Sequence, residues 1–304
     1  MIKKKKRKKR KKTWGLGLVA PRKTPRFSSL PDPSNPVTIN NGLLDHFFLP
    51  KEPLPSRGRL KRNPSANPLT EEDIKLALSK FSASSAPGPD GVPYGVWNKV
   101  NLINPAIILE LLSPPVAFGY HPPSLKTANG VVLDKPSKSS YNSPASFGIL
   151  ALLKTISKIL ERVLKVRLSA MARTEGLLHP NQCGSLPGLS SSDACLALMH
   201  ETKTLQRPRL EVSTLFLDIK ASFDNVNGST LRARLLASRV TSYMVVWVSS
   251  FFSERTWTLV LQGSPNISSP VPVATPQGSP ICPLLFLLYV APLHRSVPKG
   301  LMLS

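Results

Sequence analysis

The sequence predicts an α+β chain that is mostly helical, with a small antiparallel sheet and a disordered basic N-terminus. Three observations support this prediction. Apolar residues recur at helical spacing over most of the chain after residue 68, and only a few short runs alternate as strands do. The preceding residues are rich in Lys, Arg, Pro and Ser, a composition that cannot bury a core. We therefore expect a tail over residues 1–68 and a folded region over residues 69–304.

The chain is strongly basic, with 40 Lys and Arg residues against 17 Asp and Glu residues and a net charge of +23. Residues 3–12 (KKKKRKKRKK) supply ten of these charges, so the rest of the chain still carries +13. This excess indicates that the folded region itself binds a polyanion, with nucleic acid as the first candidate and an anionic membrane surface as the second. The basic run is typical of a nuclear localisation signal, and a mitochondrial presequence is the weaker alternative.

The composition also argues against other classes of protein. The three cysteines, Cys183, Cys195 and Cys282, share no metal-ligand spacing, and their odd number argues against a disulfide framework. The five histidines are scattered, which argues against a zinc site. No uncharged apolar run reaches the roughly 18 residues of a membrane-spanning helix.

The helices and strands follow from periodicity and capping signals. Thr70 is a predicted N-cap with Asp73 in the capping-box position, and the helix it starts continues through Phe81. Further helices are predicted at about residues 94–112, 150–173, 193–205, 228–238, 242–252 and 281–293. Strands are predicted at residues 129–133, in the run that ends at Asp218, and in a hairpin of residues 256–261 and 271–274.

Residues 214–226 (TLFLDIKASFDNV) carry the pattern that most suggests chemistry. An apolar, β-prone run delivers Asp218 at its end, and Asp224 follows six residues later. A carboxylate at a strand end suits a divalent metal, because hard cations prefer oxygen ligands on a rigid support. The alternative is a buried strand whose last Asp caps the next helix. With a basic surface and a Gly-containing turn before an apolar helix, the pattern fits an enzyme that acts on nucleic acid through Mg²⁺.

Five blocks in order resemble the reverse transcriptase domain of non-LTR (LINE-like) retrotransposons, over about residues 69–303. The blocks are 85–92 (SAPGPDGV), 131–136 (VVLDKP) continuing at 146–161, 181–194, 217–226 and 275–286. The resemblance implies a right-hand polymerase with fingers and a partial palm. Its implied partners are an RNA template, a DNA primer and deoxynucleotides, and its implied cofactor is Mg²⁺. Five ordered blocks outweigh the helix-cap interpretation of Asp218.

The resemblance also implies roles in catalysis and metal binding. Asp218 would be the catalytic metal ligand shared by two Mg²⁺ ions, and the Ile219 carbonyl would add an oxygen. Asp224 would support the turn. Phe223 would lie under the incoming sugar as a steric gate, with core packing as the alternative interpretation.

Three further residues are implied to bind the nucleotide. Lys135 would reach the triphosphate as a point charge, with an ordinary surface lysine as the alternative. Gln277 and Gly278 would lie near the template and the nascent base pair, where glycine lets the backbone approach closely. Two residues depart from the family pattern beside this group. Gly148 stands where an arginine is usual, and Asp134 stands where a proline is usual.

The largest departure concerns the second half of the metal site. The family completes the metal site with a Tyr-x-Asp-Asp hairpin. This sequence ends at Ser304, about where that hairpin begins, and the last carboxylate side chain in the sequence is Glu254. With the end of the palm and the thumb absent, we expect little or no activity from this chain alone. The alternative function is a non-catalytic, basic nucleic-acid-binding protein derived from the polymerase. A third possibility is an incomplete palm that does not fold stably.

Overall fold

The computed structural model describes residues 66–136, 146–180, 182–186, 188–206, 213–214, 216, 218–219, 222–223, 225–260, 266–271 and 275–295. The helices within these residues are α1 (Glu71–Leu78), α2 (Tyr94–Ile103), α3 (Pro105–Ala117), α4 (Thr155–Thr174), α5 (Ser191–Leu205), α6 (Gly228–Leu236), α7 (Ser242–Phe252) and α8 (Cys282–Arg295). The strands are β1 (Thr127–Asp134), β2 (Phe147–Leu153), β3 (Arg255–Val260) and β4 (Ile267–Val271). The basic run at residues 3–12 and Asp224 lie outside the described residues.

The four strands form one sheet in the order β2-β1-β3-β4. β1 pairs antiparallel with β2, and β3 pairs antiparallel with β4, but β1 and β3 are parallel. The prediction of an antiparallel sheet is therefore wrong, because the sheet is mixed. Helices α4 to α7 separate β2 from β3 in sequence, and a long crossover of this kind allows parallel pairing. Alternation of apolar residues indicates which face is buried and carries no information about strand direction.

The predicted long helix over residues 150–173 is wrong in its first turn, because β2 extends to Leu153 and α4 begins at Thr155. β2 buries every second residue from Phe147 to Leu153, as a strand covered on one face does. A short apolar run satisfies both the helical and the strand pattern, so periodicity alone does not place this boundary. Pairing with β1 decides it, since Ala151 lies opposite Gly130 and Leu153 lies opposite Ala128.

The predicted helix over residues 94–112 is two helices that meet at a 112° bend. Asn104 ends α2 and caps α3, since its side-chain oxygen accepts a hydrogen bond of 3.2 Å from the amide of Ala106. Pro105 occupies the first position of α3, where its missing N–H costs nothing. The cap and the proline together explain why the chain turns here.

Helix α4 lies at the centre of the helical core. Its residues Ile159, Leu160, Leu164 and Leu168 are fully buried and belong to one cluster with residues of the other helices, except α5. The predicted capping box of α1 is confirmed, because Thr70 and Asp73 exchange hydrogen bonds. Arg167 of α4 donates to the Asp73 carboxylate at 2.8 Å, which fastens the start of α1 to the core helix.

The predicted strand that ends at Asp218 is wrong for the residues described in that run. Residues 213–214, 216 and 218–219 belong to no strand, and the Phe216 side chain is 80% exposed. A β-prone run forms a strand only where a sheet edge accepts its backbone hydrogen bonds, and the sheet described here does not include it. The predicted hairpin is confirmed, although its second strand lies at Ile267–Val271.

Among the described helices, no single helix is long and apolar enough to cross a membrane. The bent pair α2–α3 meets these two criteria only when its helices are counted together.

Candidate functional site

Strand β2 supports the turn that carries two of the predicted nucleotide-binding residues. The Ala151 amide donates a hydrogen bond of 2.7 Å to the carbonyl oxygen of Gln277. Gly278 has a φ of 131°, and a Cβ at this position would collide with the Ala151 carbonyl oxygen. Both turn residues are exposed. Gly278 is therefore required because the turn packs directly on the backbone of β2.

A buried carboxylate on α4 holds the same turn through a second contact. Ser279, the next residue, is 5% exposed, and its hydroxyl donates a hydrogen bond to the Glu161 carboxylate of α4. The Ser157 hydroxyl donates to the other oxygen of Glu161 at 2.7 Å and also lies 3.3 Å from the His121 ring. Glu161, Ser157 and His121 are all fully buried. The turn is thus fixed on one side by β2 and on the other by α4.

Arg255 supplies the positive charge in this buried region. The Nε of Arg255 donates to the Phe251 carbonyl oxygen at 2.7 Å, and its guanidinium lies 4.1 Å from the centre of the Phe251 ring. Burial raises the pKa of the Glu161 carboxyl, while the charge of Arg255 and the hydroxyls of Ser279 and Ser157 oppose the rise. Burial also lowers the pKa of Arg255, an effect that the charge of Glu161 opposes. The two buried charges therefore favour each other electrostatically, although no salt bridge within 4.0 Å joins their side chains.

Thr275 ties the turn to the block that contains Phe223. Its hydroxyl donates a hydrogen bond of 2.5 Å to the Phe223 carbonyl oxygen, and its amide donates to the same oxygen at 3.4 Å. The half-buried Phe223 ring lies 5.4 Å from the ring of Phe286 on α8. Packing against Phe286 is therefore part of the role of Phe223. The structure brings Phe223 and the Gln277–Gly278 turn into one region.

Lys135 lies at the other end of β2. This exposed residue follows β1, and its amide donates a hydrogen bond of 2.9 Å to the Ser146 carbonyl oxygen. Its Cε lies 3.9 Å from the position that a Cβ on Gly148 would occupy. The lysine side chain thus covers the glycine that stands where the family pattern has an arginine. Gly148 and Ala151 are three residues apart on β2, so Lys135 and the turn contact the strand about 10 Å apart.

The first sequence block packs on the end of β2. A Cβ on Gly88 would collide with the backbone of Leu153 and Lys154, so this turn also requires glycine. The Thr155 hydroxyl donates a hydrogen bond of 2.7 Å to the Val92 carbonyl oxygen and accepts one of 2.8 Å from the Trp97 indole. The block therefore holds the junction of β2 and α4, and through it the support of the site.

Asp218 and Ile219 are exposed. Among the described residues, no three His, Cys, Asp or Glu side chains converge on a point where a metal ion fits. Asp224 is not among these residues. The predicted roles of Asp218, Ile219 and Asp224 stay predictions.

Comparison with known proteins decides the family. The profile of the reverse transcriptases (RNA-dependent DNA polymerases) matches residues 134–303, more than half of the chain. The chain belongs to the reverse transcriptase family. The match covers β2, the Glu161 helix and the Gln277–Gly278 turn, which are the elements that assemble the site.

The curated relatives of this member of the reverse transcriptase family are proteins of non-LTR retrotransposons, which confirms the resemblance noted in the sequence. It is 24% identical over 71% of its length to the probable RNA-directed DNA polymerase from transposon X-element of Drosophila melanogaster, and it covers 24% of that protein. It is 23% identical over 74% of its length to the RNA-directed DNA polymerase from mobile element jockey of Drosophila funebris, of which it covers 24%. It is 28% identical over 68% of its length to the putative 115 kDa protein in the type-1 retrotransposable element R1DM of Drosophila melanogaster, of which it covers 20%. The chain thus spans a quarter or less of the length of these relatives.

Reverse transcriptases use divalent metal ions, and the residues described here do not fit a complete site for one. Asp218 is a single exposed carboxylate, and a divalent cation in a protein site takes several oxygen ligands. We therefore derive no step that passes through a metal ion.

Sequence reasoning missed the buried residues that hold the turn, Glu161 and Arg255 above all. A signal for Glu161 was present, because it is a carboxylate on the apolar face of α4, between Leu160 and Leu164. An acid on such a face is costly unless it is hydrogen-bonded or paired, so its presence indicated a buried partner. The sequence carried no comparable signal for Arg255, which is the first residue of β3 and lies just before the strand predicted at residues 256–261.

Proposed function

We propose that residues 69–304 form the fingers and part of the palm of an RNA-directed DNA polymerase, and that residues 1–68 form a separate basic tail. The observation that carries the proposal is the gathering of Lys135, Gln277 and Gly278 along one strand, β2, within a reverse transcriptase match. Lys135 supplies a cation for the triphosphate, and Gln277 and Gly278 form an exposed turn for the template and the nascent base pair. Their common support gives them a fixed spacing, which binding of an incoming nucleotide requires.

The remaining roles follow from this arrangement. Phe223, tied to Thr275, would present its ring edge below the sugar while packing on Phe286. Asp218 would contribute one oxygen ligand to Mg²⁺, with Ile219 adding its carbonyl and Asp224 supporting the turn. The partners would be an RNA template, a DNA primer and deoxynucleotides. The run at residues 3–12 would direct the protein to the nucleus.

A template cross-linking experiment tests the proposal. The full chain is bound to a DNA primer annealed to an RNA template that carries 4-thiouridine opposite the next nucleotide, and the cross-linked peptide is identified by mass spectrometry. We expect the cross-link within residues 275–280 and a loss of about fivefold in yield for Gln277→Ala, because the side chain lost is the exposed contact. Gln206→Ala, at the end of α5, is the control and should leave the yield unchanged.

Cross-links confined to residues 3–12, or spread evenly over the chain, would contradict the proposal. Either result would favour the alternative of sequence-independent binding by a basic protein, which is governed by charge and falls steeply with salt.

A further inference from the structure

The hydrogen bonds to Glu161 connect two parts of the chain that are far apart in sequence, since Ser157 and Glu161 belong to α4 and Ser279 belongs to the Gln277–Gly278 turn. The charge of Arg255, at the start of β3, acts on the same carboxylate without a hydrogen bond to it. Each of the four residues is at most 5% exposed. A water-excluded carboxylate that accepts hydrogen bonds from two hydroxyls makes strong, directional contacts, because the acceptor is charged and the local dielectric is low.

We propose that Glu161 is a positioning residue, which holds the Gln277–Gly278 turn at its distance from β2 through the Ser279 hydroxyl. The proposal rests on the proposed function in one respect, namely that the turn contacts the template. Glu161 itself is fully buried and touches no substrate. It acts through Ser279, which directly follows the two exposed residues of the turn, Gln277 and Gly278.

The geometry indicates positioning rather than packing alone. Besides the hydrogen bonds from Thr275 to Phe223, the turn has one attachment to β2, from the Ala151 amide to Gln277, and one to α4, from Ser279 to Glu161. Gly278 lies between these two against the Ala151 carbonyl. Loss of the hydrogen bond between Ser279 and Glu161 leaves the turn held on β2 by a single backbone hydrogen bond, from Ala151 to Gln277. A buried charge is also costly to keep, and an apolar residue would fill the same space at less cost. A carboxylate at this position is consistent with a need for a fixed acceptor.

Two serine substitutions separate positioning from a general effect on stability. Ser279→Ala and Ser157→Ala each remove one hydroxyl that donates to Glu161, but only Ser279 belongs to the turn. Ser157→Ala is the harsher change for the core, because it also removes the contact with His121. The readout is hydrogen exchange of the Ala151 amide in the full chain, relative to amides of α7. Denaturant unfolding of the same variants measures stability.

We expect Ser279→Ala to speed exchange of the Ala151 amide about tenfold, because a hydrogen bond to a charged group is lost at the turn. In Ser157→Ala the exchange rate of the Ala151 amide should stay within about twofold of the wild-type rate. This should hold even if Ser157→Ala destabilises the fold as much as Ser279→Ala does, or more. Equal acceleration in both variants, or none in either, would overturn the proposal.

Glu161→Gln provides a second variant, which keeps an acceptor oxygen for Ser279 but removes the charge. Positioning predicts an exchange rate for Ala151 between those of the wild type and Ser279→Ala. A role in packing alone predicts a rate equal to or below that of the wild type, because the cost of the buried charge is removed. That result would count against the proposal.

Template cross-linking then separates failure of the proposal from failure of the proposed function. If the turn is the template contact, Ser279→Ala lowers the cross-link to residues 275–280 and Ser157→Ala does not. If the wild type gives no cross-link there while Ser279→Ala still speeds Ala151 exchange, the proposed function fails and the positioning role stands. If the cross-link is present and both variants leave it and the exchange unchanged, the positioning role fails and the proposed function stands.

Discussion

Gly278 and Ala151 are in backbone contact, so closely that a single added carbon on Gly278 would collide with the Ala151 carbonyl oxygen. The contact joins a turn near residue 278 to a strand more than a hundred residues earlier. This contact explains why residue 278 must be glycine, and it also places the turn against β2.

Gly278→Ala should therefore be among the most damaging single substitutions in the chain. The φ of 131° is unfavourable for any side chain, and the colliding atom belongs to the backbone, which cannot turn away. We expect a loss of about 2–4 kcal/mol in the free energy of unfolding, measured with urea. Gly176→Ala is the matched control, with a φ of 59° and no atom within 4 Å of the added carbon. If both variants lose the same stability, the contact with Ala151 has no energetic role.

The packing of the first sequence block on the β2–α4 junction predicts the effect of Thr155→Val. This substitution keeps the shape of the side chain but removes the acceptor for the Trp97 indole and the donor to the Val92 carbonyl. Two half-buried polar groups lose a partner, so we expect a loss of about 2–3 kcal/mol in urea unfolding. Thr258→Val is the control, because its hydrogen bond to Ser268 is exposed, and it should cost about 0.5 kcal/mol or less. Similar losses for the two variants would contradict the assigned role of Thr155.

The raised pKa of Glu161 predicts how stability depends on pH. Because folding raises this pKa above its ordinary value of 4.5, the folded state binds the proton of Glu161 more tightly than the unfolded state does. The contribution of Glu161 is then complete below pH 4.5 and is lost as pH rises from that value toward the raised pKa. Wild type should accordingly lose stability relative to Glu161→Gln as pH rises from about 4 to 7.

The comparison of these two proteins isolates Glu161, because His121, Lys158 and Arg255 are present in both. Urea unfolding at several pH values measures the difference between them. A difference that is constant with pH, or that moves in favour of wild type as pH rises, would show that Glu161 is not held in an environment that favours its protonated form.

Asp218 should bind a divalent cation only weakly within this polypeptide. Affinity falls with the number of charged ligands, and no carboxylate occurs after Glu254. We expect an apparent dissociation constant of about 1 mM or above for Mn²⁺, measured by water proton relaxation. Asp218→Asn should weaken binding further, and Asp90→Asn, at an exposed turn, should not. Micromolar binding that is lost in Asp218→Asn would mean that other carboxylates of this chain complete a site with Asp218.

The sequence predicted helices well where one apolar face and a cap coincide. α1 begins at the predicted cap, and α7 occupies Ser242–Phe252 as predicted. The errors occur where tertiary pairing decides the outcome. Residues 150–153 join β1 as a strand, and β1 pairs with β3 in parallel, and neither result is encoded in local periodicity.

The sequence indicates the exposed residues of the candidate site, but it does not indicate the buried residues that support them. Motif resemblance indicated Lys135, Gln277 and Gly278, and the structure places all three along β2. Glu161 and Arg255 were not predicted from the sequence, because their importance depends on which side chains meet in the folded core. A charged residue on an apolar helix face is a sign of such a partner, but it does not identify the partner.

In the proposed nucleotide site, Lys135 contacts one end of β2 and the Gln277–Gly278 turn contacts the strand near its other end. Its most direct test is photolabelling of the full chain, bound to primer and template, with an azido-deoxynucleoside triphosphate, followed by mapping of the labelled peptides. We expect labelling within residues 275–280 that falls about tenfold in Lys135→Ala, because the cation that binds the triphosphate is lost. Lys99→Ala, which changes an exposed lysine of α2, should leave the labelling unchanged. Labelling outside residues 275–280, or labelling there that is equal in the two lysine variants, would contradict the proposed site.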